Sequence, residues 1–66
     1  MNPADIAQAR HRAGHTQTQA GELVGGTLRT WQDWEAGRRA MPGAAWELYQ
    51  LKTGQHPEFE LVKKSA

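Results

Sequence analysis

A glycine pair, Gly25 and Gly26, separates two short segments that each open with a threonine and carry apolar residues at helical spacing. The first segment begins at Thr16, and Gln19 three residues later completes a capping box. The second segment begins at Thr27, and Gly25 supplies the left-handed residue that ends the helix before it. Because almost no chain remains between the segments, the sequence predicts two short helices that cross steeply.

Small residues inside the first of these helices agree with a close crossing. Ala20 and Gly21 leave room for the next helix, although glycine costs about 1 kcal/mol of helix propensity relative to alanine. We therefore expect Gly21 to serve packing. Two helices in this arrangement have the geometry of a helix-turn-helix, whose second helix can enter the major groove of DNA. Duplex DNA is the leading partner on this evidence.

The remaining segments predict an all-α fold of four to five short helices, with the helix-turn-helix in helices 2 and 3. A first helix is expected over Pro3–Ala13, and a fourth from Pro42 or Gly43 to near Gly54. The alternation that follows, over Glu58–Val62, indicates a short C-terminal β-strand instead of a fifth helix.

Length and composition narrow the class of protein. We expect one domain over residues 1–66, with a helical core over 1–54 and a tail over 55–66 that is a candidate dimerisation strand. So short a chain buries a modest core, and a second copy is the expected source of added stability. Cysteine is absent and no apolar run reaches the length of a membrane span, so we expect a cytoplasmic protein. The formal net charge of +1 requires that any DNA-binding face come from the local arrangement of arginines.

From Thr16 to Pro42 the chain combines a Thr-Gln opening, a small residue in the second helix, a glycine turn, a third helix ending Trp-Glu, then Gly-Arg and a proline. In these features it resembles the Cro/repressor-type (XRE) helix-turn-helix family, and the resemblance extends from Asp5 to about Leu51. The segment RTWQDWEAGRRAMP is also similar to anti-CRISPR-associated regulators and small phage repressors. The chain departs from the family in lacking its usual fifth helix and in placing Ala20 where a larger aliphatic residue is common.

The resemblance implies that base edges are read by residues at the start of the third helix and one turn later: Leu28, Arg29, Gln32 and Asp33. Arg29 can donate two hydrogen bonds to guanine O6 and N7, unless it is a solvated surface arginine. Gln32 can read adenine, and Leu28 can touch a thymine methyl group. For Asp33 three roles stay open: accepting from cytosine N4, holding Arg29 in place, or remaining a plain exposed acid.

Side chains around the same helix are expected to contact phosphates, which positions the protein without reading sequence. These residues are Gln17, Thr27, Thr30, Arg38 and Arg39. For Gln17 and the two threonines, simple capping or exposure is the alternative. The resemblance also implies a structural ion pair between Arg10 of the first helix and Glu35 at the end of the third, against the alternative of two unrelated surface charges.

These features lead us to expect a transcriptional repressor that binds an inverted-repeat operator as a homodimer and regulates its own operon, of phage or anti-CRISPR type. Two dimer interfaces are candidates: the fourth helix through Trp46 and Tyr49, or pairing of tail strands through Phe59 and Leu61. The alternative function is an antitoxin-like protein-interaction module with secondary DNA binding.

Other kinds of site find less support in the sequence. The tryptophans Trp31, Trp34 and Trp46 could stack single-stranded bases, but their helical spacing favours a core. His11 and His15 have a metal-binding spacing, yet Gly14 interrupts their helix and no further ligand is near. No nucleophile with an adjacent base and no phosphate-cradling loop can be assembled. We expect no metal, no cofactor, no small-molecule ligand and no enzymatic activity.

Overall fold

Four α-helices make up the fold in a computed structural model that describes residues 1–62. They are α1 (Pro3–Ala13), α2 (Gln17–Leu23), α3 (Leu28–Ala36) and α4 (Gly43–Lys52). The predicted all-α fold, with the helix-turn-helix in helices 2 and 3, is therefore confirmed. None of the helices in the described part of the chain is both long and apolar enough to cross a membrane.

Polar caps fix the start of α2 and α3, as the sequence predicted. Thr16 Oγ1 accepts the Gln19 N–H at 3.1 Å, and Gln19 Oε1 accepts the Thr16 N–H at 2.8 Å. Thr27 caps α3 by accepting the N–H of Thr30 at 3.2 Å. These bonds satisfy N–H groups that have no partner inside a helix, so each helix begins at a defined residue.

The crossing of α2 and α3 depends on the missing side chain of Gly21. A Cβ placed on Gly21 would lie 2.8 Å from the carbonyl oxygen of Thr27 and 3.5 Å from Cβ of Trp31. The Gly21 carbonyl also accepts the N–H of Gly26 at 2.8 Å, which ties the turn to α2. The packing role predicted for Gly21 is confirmed.

Aromatic rings fill the centre of the domain. Trp31 and Tyr49 are fully buried, and Trp34 is 7% exposed. The Trp31 ring centroid lies 5.7 Å from that of Trp34 and 4.9 Å from that of Tyr49, distances at which aromatic pairs attract. The partly buried Trp46 packs against this cluster from α4. The tryptophans therefore belong to the core and do not form a base-stacking platform.

Within a single chain the tail forms no strand. Residues 58–62 are neither strand nor helix, because a strand needs a neighbouring backbone to pair with and the rest of residues 1–62 places none beside them. Pairing of this segment between two copies stays a prediction. His56 anchors the start of the tail instead, since its Nδ1 accepts the N–H groups of Glu58 at 3.1 Å and Phe59 at 3.0 Å. The last part of the predicted tail, residues 63–66, lies outside the described residues.

Candidate nucleic-acid interface

The outer side of α3 is open to solvent at its first turn. Its inner side buries Trp31 and Trp34, whereas Leu28 is 41% exposed and the side chain of Arg29 is 80% exposed. Thr27, just before the helix, is exposed, and its hydroxyl lies 3.1 Å from that of the half-buried Thr30. The structure thus brings together the first two predicted base readers and the two threonines expected at phosphates.

Asp33 is buried beneath arginines, so its interpretation as a plain exposed acid is wrong. The residue is 8% exposed, and its Oδ1 accepts Nε of Arg29 at 3.3 Å and Nε of Arg38 at 2.8 Å. The hydrogen bond from Arg38 is the main cause that lowers the pKa of Asp33, and it prevails over the opposing effect of burial. Asp33 is therefore ionised and holds two guanidinium groups at neutral pH.

The end of α3 directs Arg38 towards this carboxylate. Gly37 adopts the left-handed conformation, with φ of 77°, and ends the helix. The Asp33 carbonyl then accepts the N–H of Arg38 at 2.9 Å and that of Arg39 at 3.3 Å. Arg38 keeps 59% of its side chain exposed, and Arg39 is exposed as well. A local cationic surface thus lies beside α3 in a chain of nearly balanced charge.

Gln17 and Gln32 form a chain of side-chain contacts that the sequence did not reveal. Gln17 Nε2 donates to Glu35 Oε1 at 3.2 Å, and Gln32 Nε2 lies 3.5 Å from Gln17 Oε1. The amide of Gln17, expected at a phosphate, is therefore engaged within the protein. Its carbonyl oxygen also lies near the amide of Gln32, a predicted base reader on α3.

Arg10 and Glu35 form the ion pair that the resemblance implied. Arg10 Nε donates to Glu35 Oε2 at 2.6 Å and Nη2 donates to Oε1 at 3.1 Å, with side chains only 14% and 10% exposed. Trp31 Nε1 also donates to Glu35. Burial raises the pKa of Glu35, but the hydrogen bonds from Arg10, Trp31 and Gln17 outweigh it and leave this pKa lowered. This pair joins α1 to α3.

Of the four residues predicted at a dimer interface, Tyr49 was predicted wrongly. It is fully buried within one chain, and its hydroxyl lies 3.0 Å from Nδ1 of His15, so it has no surface to offer a partner. Trp46 is half-buried. Phe59 and Leu61 are 61% and 54% exposed and remain accessible.

Comparison with known proteins agrees with this geometry. A family model described as a helix-turn-helix domain matches residues 4–51, which takes in nearly all of the four helices. The chain is also 33% identical over 60 residues to the type II methyltransferase M.MspI of a Moraxella species. That alignment covers 91% of this chain but only 14% of the methyltransferase. The extent of the family match, together with the capped α2–α3 crossing and its exposed arginines, shows that the chain belongs to the helix-turn-helix domain family and is a DNA-binding domain.

Proposed function

We propose that the protein is a sequence-specific transcriptional repressor without enzymatic activity. This proposal rests on the hydrogen bonding and the exposure of Arg29. Its Nε is bound to Asp33, while its Nη1 and Nη2 make no hydrogen bond within residues 1–62 and 80% of its side chain is exposed. Two free Nη groups on the outer side of α3 suit the O6 and N7 acceptors of guanine in the major groove.

We also propose that the protein binds an inverted repeat as a homodimer. One chain offers few base contacts and carries a formal charge of only +1, so a second copy doubles both the base contacts and the phosphate contacts. Two-fold symmetry requires an inverted repeat whose half-site centres lie about 34 Å apart, or a multiple of that distance. We propose that such an operator lies in the promoter of the protein's own operon, where occupancy represses transcription.

The base-reading role of Arg29 is tested by titrating variants against operator and random duplexes at several salt concentrations. Arg29→Ala should reduce the preference for operator by about 5- to 150-fold per half-site, the discrimination of one bidentate pair. Arg38→Ala should weaken binding to both duplexes and reduce the salt slope by about 0.9 per subunit. Arg12→Ala, which removes an exposed arginine of α1, serves as the control for lost charge. Equal losses on both duplexes for Arg29→Ala would contradict the proposal.

The dimer interface is tested separately on the tail. Phe59→Asp with Leu61→Asp places two charges on side chains that are exposed in the single chain, so the fold should persist while the dimer dissociates. Glu60→Gln, between them, is the matched control. A double variant with the molar mass of a dimer would assign the interface to another surface, with Trp46 of α4 as the next candidate.

The exposed tail also favours a second candidate function, an antitoxin-like module whose main partner is another protein. Phe59 and Leu61, with Val62 at 86% exposure, are apolar side chains open to solvent next to a folded core. Exposed apolar side chains of this kind suit a foreign protein as well as a second copy. A purified chain that is monomeric and shows no preference among DNA sequences would favour this function over repression.

A further inference from the structure

One carboxylate oxygen is shared by two arginines that the proposed function assigns to different parts of DNA. Oδ1 of Asp33 accepts Nε of Arg29, expected on a base, and Nε of Arg38, expected on a phosphate. Asp33 keeps 11% of its side chain exposed, against 80% and 59% for the two arginines. The acid therefore lies beneath the cationic surface and is itself poorly placed to reach a base.

The contact leaves both guanidinium groups able to bind DNA. Each arginine uses Nε for Asp33, and within residues 1–62 its Nη groups make no hydrogen bond. The Nε atoms of Arg29 and Arg38 lie 3.3 and 2.8 Å from the same oxygen, so the two guanidinium groups are close neighbours. The Asp33 carbonyl also holds the backbone N–H of Arg38 at 2.9 Å, which fixes the segment as well as its side chain.

Ordering long side chains before binding reduces the entropy lost in the complex. An arginine that is already held by one nitrogen keeps fewer rotamers to lose when its other nitrogens meet DNA. The same carboxylate is a negative charge near phosphates, and it disfavours DNA that offers no guanine to compensate. Both effects of Asp33 therefore increase the preference for operator over other DNA.

Building on the proposed function, we propose that Asp33 is a positioning residue that joins Arg29 and Arg38 into a two-arginine clamp. The clamp recognises a guanine together with a backbone phosphate close to it in the same half-site. Because one oxygen holds both arginines, the guanine contact and the phosphate contact strengthen each other. The operator is then distinguished by the pairing of these contacts as well as by the base itself.

Asp33→Asn tests the clamp, since it keeps the shape and the backbone bonds but removes the charge. We expect its preference for operator over random DNA to fall about tenfold or more, while its affinity for random DNA stays equal or rises. Glu22→Gln removes the charge of an exposed acid on α2 and should leave the preference unchanged. Thermal melting by circular dichroism verifies that both variants are folded.

A double-mutant cycle separates positioning from a general structural role. In the native background, the losses from Arg29→Ala and Arg38→Ala on operator should be coupled, so that the double variant loses several-fold less than the product of the two. In the Asp33→Asn background the two losses should simply multiply. Coupling of the same size in both backgrounds would overturn the clamp.

Modified DNA gives a second test that needs no variant of the protein. A 7-deazaguanine removes the N7 acceptor, and a methylphosphonate removes the charge of one nearby phosphate. With native protein the combined modification should weaken binding several-fold less than the product of the single effects for at least one phosphate near the guanine. If the native protein prefers the operator but the effects multiply at every phosphate, the clamp is refuted while the proposed function stands. If the native protein prefers no sequence, the proposed function fails and the clamp with it.

Discussion

Replacing Gly21 with alanine tests whether close contact between α2 and α3 sets the geometry of the DNA-binding face. In an open helix the substitution would stabilise the protein by about 1 kcal/mol through helix propensity. Here the new Cβ would lie 2.8 Å from the Thr27 carbonyl oxygen, a backbone atom that cannot rotate away. Overpacking of this kind costs about 1 to 3 kcal/mol, and a backbone obstacle favours the upper end. We therefore expect a net loss of about 1 to 2 kcal/mol.

The loss should appear in thermal unfolding and in DNA binding. In a domain of this size each kcal/mol lowers Tm by about 4 to 8 °C. Thr27 caps α3, so its displacement should also weaken operator binding at temperatures where the variant remains folded. Gly43→Ala is the matched control, because a Cβ at this helical position meets nothing within 4 Å and should not lower Tm. A Gly21→Ala variant as stable as the native protein, with unchanged DNA binding, would show that this close contact does not set the crossing of α2 and α3.

Three further predictions concern the polar contacts behind α3. Arg10→Ala leaves Glu35 buried without its cation and should lower the free energy of unfolding, measured in urea, by roughly 3 kcal/mol. A loss below about 1 kcal/mol would show that the pair is exposed to solvent. The pKa of Glu35 in the folded protein lies below its ordinary 4.5, so its contribution to stability is complete above that pH and declines as the pH falls. Glu35→Gln should therefore flatten the acid side of a profile of Tm against pH. An acid side that Glu35→Gln leaves unchanged would contradict this prediction. Tyr49→Phe removes only the hydroxyl beside His15 and should cost about 1 kcal/mol in the same unfolding assay, whereas no loss would mean that this contact is not stabilising.

Local signals in the sequence were sufficient to predict the helices that carry the site. The threonine caps at Thr16 and Thr27 act within one turn of chain, so their role can be read from spacing. Gly21 was predictable for a related reason, since glycine inside a helix is costly unless a neighbour needs the space. The resemblance to a known family supplied the ion pair between Arg10 and Glu35, which lie 25 residues apart.

Contacts that depend on the path of the chain after a helix were not predictable. Asp33 is four residues from Arg29, a spacing visible in the sequence, but its bond to Arg38 depends on the turn made at Gly37. Tyr49 shares a helix with the half-buried Trp46, and the sequence did not show which of the two lies deeper. A strand in the tail requires pairing with a neighbouring backbone, and the alternation of residues does not supply that neighbour.

The proposed repressor function is most directly tested by selecting bound sequences from random duplex DNA with the purified protein while measuring the mass of the bound complex. We expect enrichment of an inverted repeat with a guanine in each half-site, bound by two chains. Asp33→Asn, selected in parallel, should enrich that guanine less. Recovery of no sequence preference, with weak binding that disappears as salt is raised, would contradict the repressor function.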